Sequence, residues 1–185
     1  MQSWLFEPGS LTRRLRELCG GRFRVRLLRQ DWDRPYADES RALGSTCRHR
    51  AVVREVLLQW EEQPLVAARS VIPVMTLRNA HRGLIRLGER PLGEILFADP
   101  RLRRQHLELA EIEPAIWCRE IPILPPPANR IWGRRSLYTL GPGRLLVAEF
   151  FLPALFALTP VSHPSESWGE PVPSLGNHSL IHFPP

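Results

Sequence analysis

Ala51-Val52-Val53-Arg54-Glu55-Val56-Leu57-Leu58-Gln59-Trp60 and Leu65-Val66-Ala67-Ala68-Arg69-Ser70-Val71-Ile72 are two β-branched, aliphatic runs separated by the polar break Glu61-Glu62-Gln63-Pro64. The pattern predicts a long β-hairpin. Each strand carries one arginine where an apolar residue is expected. With Trp60 opposite Leu65, Arg54 faces Val71 and Arg69 faces Val56, and alternation puts both arginines on one sheet face as diagonal neighbours roughly 7–8 Å apart. Val52, Leu58, Trp60, Leu65 and Ala67 share that face in this register. A guanidinium keeps its proton at physiological pH and is costly to bury unpaired, so each arginine calls for an anion. That anion is either a bound carboxylate ligand or an internal partner. A one-residue change of register sets Glu55 directly opposite Arg69, and spacing leaves both readings open.

Outward from the hairpin, Ser10 is an N-cap for a helix over Leu11 to Cys19, closed by Gly20-Gly21, with Leu11, Leu15 and Leu18 on its inner face. Phe23 to Leu27 alternates like a half-exposed strand, and Gln30 to Thr46 has the composition of a loop. After the hairpin, Asn79 to Leu87 reads as a short helix ended by Gly88. Pro91-Leu92-Gly93 then opens another over Glu94 to Phe97, leaving backbone N–H groups free at an anion-binding corner. Arg101 to Ile112 does not decide between strand and helix, and the proline-rich stretch 113–130 is an irregular excursion. Leu137 to Leu140 and Leu145 to Leu152 flank a Gly141-Pro142-Gly143-Arg144 turn as a second hairpin. In its last strand Glu149 is a carboxyl group among Leu145, Val147 and Phe151. It is either a partner for Arg134 or Arg135, or a ligand contact or proton carrier.

The 185 residues, 43% hydrophobic and 24% charged, suit one domain with its own core over residues 1–159, followed by a proline- and serine-rich tail over 160–185 that is expected to be poorly ordered. The net charge of +6 does not indicate nucleic acid, because the arginines are scattered through apolar segments rather than clustered. All 25 basic residues are arginine, which excludes a lysine Schiff base, lysine-anchored pyridoxal phosphate and a Walker A loop. Cys19, Cys47 and Cys118 are odd in number and far apart, so neither a disulfide framework nor a zinc knuckle is expected. The histidines form no metal-binding pattern. No export signal and no apolar run approaching 18 residues is present, so a cytoplasmic protein without membrane insertion is expected.

Arg54-Glu55-Val56-Leu57-Leu58, Ala68-Arg69-Ser70-Val71-Ile72-Pro73-Val74 with Thr76-Leu77, Leu87-Gly88 with Pro91-Leu92-Gly93, Leu96-Phe97, Trp132-Gly133-Arg134-Arg135-Ser136 and Glu149-Phe150-Phe151-Leu152-Pro153 together resemble the chorismate pyruvate-lyase family, over roughly Trp4 to Ala154. The resemblance implies an α+β fold, a mostly antiparallel six-stranded sheet with helices against it and an enclosed ligand pocket beneath two flaps. It implies conversion of chorismate to 4-hydroxybenzoate and pyruvate, with no metal or organic cofactor, as the entry to ubiquinone or plastoquinone head groups. By the same resemblance Arg54 grips the ring carboxylate, helped by backbone N–H groups at Leu11 and Leu92, and Glu149 meets the 4-hydroxyl. Arg69, or one of Arg134 and Arg135, is expected to stabilise charge on the departing side chain. A monomer is implied. The alternative is a non-catalytic binder of aromatic carboxylates related to the effector domains of transcription regulators. Those domains follow a winged-helix segment, and none precedes Trp4 here.

Overall fold

Two three-stranded antiparallel meanders lie side by side and share one sheet. The first is β1 (Phe23–Asp33), β2 (Ala51–Trp60) and β3 (Gln63–Pro73), and the second is β4 (Leu102–Ile112), β5 (Ile131–Leu140) and β6 (Gly143–Phe151). Antiparallel pairing of β3 with β6 joins them in the order β1-β2-β3-β6-β5-β4. This computed structural model describes residues 2–44, 50–79, 82–114 and 127–158. Most of the 113–130 excursion and all of the 160–185 segment lie outside the described residues.

The hairpin register is not the one with Trp60 opposite Leu65 but the one-residue alternative that sets Glu55 opposite Arg69. The turn is only Glu61-Glu62, with Glu61 at φ 53°, so Trp60 pairs with Gln63 and Gln59 with Pro64. Leu58 then pairs with Val66, which leaves Leu65 as the extra residue of a β-bulge. Pro64 has no N–H to donate to the ladder, and the irregularity sits beside it. Continued without the bulge, the turn register would set Arg54 directly opposite Arg69, two cations in one place. The added residue instead gives Arg54↔Ser70 and Glu55↔Arg69. Because side chains alternate between faces, this slip sends Arg54 and Arg69 to opposite sides of the sheet.

Among the described residues, six short α-helices and two 3-10 helices flank the sheet or its ends. On the side that Arg54 faces, Leu11, Leu15 and Cys19 of α2 (Leu11–Cys19) pack with Leu5 of α1 (Gln2–Leu5) on Phe23, Val25, Val56, Leu58 and Ala68. Ser10 caps α2, its Oγ accepting from the Arg13 N–H at 3.3 Å, and Gly20 at φ 58° ends it before a 3-10 turn over Gly20–Arg22. Leu77 of α4 (Val74–Asn79), Leu84 of the 3-10 helix Arg82–Arg86 and Leu96 of α5 (Leu92–Ala98) cover Val52, Ile72, Tyr138 and Leu145 on the same side. Burying each leucine here contributes roughly 1.5–3 kcal/mol. The reverse side carries a smaller core of Leu57, Ala67, Ala110, Ile112 and Phe150, with Leu43 beyond α3 (Ala37–Ala42) packing on Ala51, Val71 and Leu146. Leu155 of α6 (Pro153–Ala157) closes the end near Leu65 and Phe151.

Other local expectations are corrected too. β1 continues to Asp33 and α3 follows, where a loop over 30–46 was expected. The β3 strand stops at Pro73, and α4 follows over Val74–Asn79. The undecided segment 101–112 is the edge strand β4. No helix among the described residues is long and apolar enough to cross a membrane.

Candidate active site

The register arranges the helix-covered face into rows across the strands. One row reads Gln30, Arg54, Ser70, Val147 and Ser136, and the next Leu27, Val56, Ala68, Glu149 and Arg134. Arg54 on β2 and Glu149 on β6 are therefore two strands and one row apart, roughly 12 Å between Cα atoms from standard strand spacings. A cavity of about 580 Å³, its mouth included, lies over these rows and beneath α2 and α5. Val25, Val56, Leu58, Ala68, Leu96, Phe97 and Val147 make its walls apolar, and Arg54, Arg134 and Glu149 supply its charges.

At one end Arg54 is 1% exposed. Its Nη1 donates to Gln30 Oε1 at 3.1 Å and to the Gly88 carbonyl at 2.7 Å, and its Nη2 to the Arg90 carbonyl at 3.0 Å. All three acceptors are neutral, and no carboxylate among the described residues pairs with it. Burial pulls the guanidinium down to about 10, still far enough above neutrality to keep its charge. The two carbonyls come from the loop that leads into Pro91 and Leu92, which brings the first turn of α5 to this end of the cavity. The start of α2 meets it there: a Cβ on Gly93 would lie 2.8 Å from Ser10 Oγ and 3.4 Å from Thr12 Oγ1. Leu11 and Leu92 both line the cavity, and each is the first residue of its helix, where backbone N–H groups have no intrahelical acceptor.

At the other end the Arg134 Nε meets Glu149 Oε2 at 2.5 Å. The Arg134 Nη1 donates to the carbonyls of Trp4, Leu5 and Glu7, at 3.2, 3.3 and 3.3 Å, which fixes the N-terminal strap over the cavity rim. Burial alone would lower the Arg134 guanidinium, but the charge of Glu149 and its hydrogen bond outweigh that and raise it. Glu149 thus has the internal partner that its spacing allowed and faces the ligand space as well.

The structure takes Arg69 away from the cavity. It lies on the reverse face, 2% exposed, bound in bidentate fashion by Glu39, with Nε–Oε1 at 2.7 Å and Nη2–Oε2 at 3.1 Å. Its Nη1 meets Glu55 Oε1 at 2.6 Å, and its guanidinium stacks on the Tyr36 ring at 4.2 Å. Burial opposes its charge, yet these carboxylates raise it above the ordinary arginine value. The bulge at Leu65 is the physical reason, since it turns Arg69 away from Arg54. Arg135 is also on the reverse face, between Glu108 (2.5 Å) and Asp38 (2.8 Å). Of the three arginines expected near the departing group, Arg134 alone lines the cavity. Ser70, Thr12 and Tyr138 also line it, residues that no sequence pattern singles out. Strand parity relative to Arg54 is the signal that finds Ser70.

The sequence profile described as chorismate lyase matches residues 1–161. A probable chorismate pyruvate-lyase of Methylococcus capsulatus is 50% identical over 158 residues, covering 85% of this chain and 98% of that protein. Probable chorismate pyruvate-lyases of an Azoarcus species and of Coxiella burnetii are 44% and 40% identical, covering 85% and 88% of this chain and 86% and 88% of theirs. Among solved structures, the ligand-binding domain of a GntR-family regulator from Bordetella bronchiseptica aligns with a TM-score of 0.51 at 17% identity, over 72% of this chain and 86% of that one. The C-terminal domain of the histidine utilization repressor of Pseudomonas syringae aligns at 0.56 and 10% identity, over 81% and 100%. At those identities the likeness shows a common fold and nothing more. Half of the positions shared with one lyase, over nearly its whole length, show a closer kinship: this chain is a member of the chorismate lyase family of carbon–oxygen lyases.

Proposed function

We propose that the cavity holds chorismate between Arg54 and Glu149 and converts it, without a cofactor, to 4-hydroxybenzoate and pyruvate. The observation that carries this reading is a buried cation whose hydrogen-bond partners among the described residues are all neutral, facing a carboxylate across an apolar slot. Arg54, with the backbone N–H groups of Leu11 and Leu92, receives the ring carboxylate. Glu149 accepts a hydrogen bond from the ring hydroxyl at the far end. In the reaction the ether bond breaks with its electron pair passing to the departing oxygen. The neighbouring hydroxyl-bearing carbon loses its hydrogen as a proton, and the ring becomes aromatic. The released enol takes a proton on its methylene carbon to give pyruvate. Aromatisation supplies the driving force, so positioning provides much of the acceleration. Arg134 stands where negative charge grows on the departing group. The product enters ubiquinone or plastoquinone head groups, and the protein works as a cytoplasmic monomer.

The test is incubation of the purified protein with chorismate. Equal amounts of 4-hydroxybenzoate and pyruvate are expected. Tight binding of chorismate or 4-hydroxybenzoate with no turnover would instead make this a binding domain of the regulator type.

A further inference from the structure

Ser70 sits at the centre of the cavity floor, directly opposite Arg54 on the neighbouring strand and one row from Glu149. Standard sheet geometry puts its Cβ about 4.5–5.5 Å from that of Arg54 and about 7–8 Å from that of Glu149. The residue is 5% exposed, and its hydroxyl has no hydrogen-bond partner among the described residues. The hydroxyl opens onto the cavity, where solvent rather than the protein meets its hydrogen-bonding capacity, and a ligand oxygen above it takes the place of that solvent. Ser136 provides the internal comparison. It lies in the same row on β5 and its Oγ is also without a partner, but it is sealed at 0% exposure and does not line the cavity.

We propose that the Ser70 hydroxyl is a further catalytic contact, donating a hydrogen bond to the ether oxygen of the enolpyruvyl group. This rests on the reading of the cavity as a chorismate site. The two ends fix the long axis of the ring, with its carboxylate at Arg54 and its hydroxyl at Glu149. The ether-bearing carbon adjoins the hydroxyl-bearing one, so its oxygen lies between the ends, above the strand that carries Ser70. That oxygen takes up the electron pair when the bond to the ring breaks, and a donor there is worth more as the charge grows. The proton of Ser70 stays on its own oxygen throughout. The aromatic product has lost the ether, so Ser70 discriminates substrate and transition state from product, which Arg54 does not.

The experiment compares the full chain with Ser70→Ala, Ser70→Thr and Ser136→Ala, reading single-turnover rates on chorismate and the affinity for 4-hydroxybenzoate. Ser70→Ala removes an oxygen that bonds to no other described residue, so the fold is retained. Its turnover is expected to fall by about 10- to 100-fold, with product affinity within about twofold of the parent. Ser70→Thr keeps the hydroxyl and restores most of the rate. Ser136→Ala stays within about twofold. An active parent with an equally active Ser70→Ala overturns this assignment alone. So does a loss of product affinity in step with turnover, which would place the hydroxyl on the ring carboxylate. An equal loss in Ser136→Ala would trace the effect to sheet packing and overturn it as well. A parent with no turnover on chorismate overturns the functional reading together with the assignment.

Discussion

The two faces of the sheet treat neighbouring arginines in opposite ways. On the cavity face, Arg54 donates to an amide and two carbonyls and has no carboxylate partner among the described residues. On the reverse face, Arg69 is held by Glu39 and Glu55, and Arg135 by Glu108 and Asp38. Burial is almost the same for Arg54 and Arg69, at 1% and 2% exposure, so depth does not separate them. What separates them is whether the partner is part of the protein. A carboxylate supplied by the chain turns a buried arginine into structure, and one left to be supplied from outside would, on the proposed reading, make it a binding site. Arg134 is intermediate, paired with Glu149 and still facing the ligand space.

The contrast can be broken most severely at the bulge. Deleting Leu65 would return Arg69 to the face of Arg54, directly opposite it, and reverse the sides of the residues beyond. No folded, soluble protein is expected, as read by circular dichroism; a cooperative unfolding transition in this deletion would show that parity does not separate the two roles. Next is Arg69→Leu, which leaves Glu39 and Glu55 buried without their cation. It is expected to cost about 3–5 kcal/mol in urea unfolding, while turnover per folded molecule stays within about threefold. A large loss of turnover with unchanged stability would return Arg69 to the site. Arg54→Ala should show the reverse, a loss of turnover of about 10²- to 10³-fold with a thermal midpoint moved by no more than about 4 °C. Unchanged turnover would remove Arg54 from the mechanism.

The smallest effect sharpens the electrostatic side of the contrast. Burial holds the Arg54 guanidinium at about 10, below the ordinary arginine value. In the empty protein the cation is therefore a cost, present at neutral pH and relieved as pH rises from about 10 toward the ordinary arginine value. A bound carboxylate needs the cation, so its affinity runs the other way. Benzoate, which has no phenol to titrate, should bind with constant affinity from about pH 6 to 9 and weaken by up to about tenfold per unit above 10. Isothermal titration reads this directly, and an affinity that already declines through neutral pH would contradict it.

The alternation of β2 and β3 and the glycine turn between β5 and β6 are written plainly in the chain, so the antiparallel sheet was legible. The registry was not. A bulge depends on backbone pairing that leaves no periodic trace, and only Pro64 hints at it, by lacking an N–H. That one unread residue was enough to group Arg69 with Arg54 and to hide Ser70. α3 was missed because it buries Glu39 and Ser40 rather than an apolar stripe, its packing being an ion pair with a strand distant in sequence. β4 could not be assigned because, as a half-exposed edge strand, it has no clean alternation. Arg54 and Glu149 were legible for the opposite reason: each is a charge in an apolar strand, an anomaly visible without any register.

The neutral surroundings of Arg54 carry a practical consequence for work at the bench. An enclosed positive group that the protein leaves unbalanced attracts any small ion of the right sign that can shed its water and enter. On the proposed reading, chloride, formate and acetate from ordinary buffers would all compete for the place of the ring carboxylate. Apparent Michaelis constants will therefore drift with the choice of counter-ion even at fixed ionic strength.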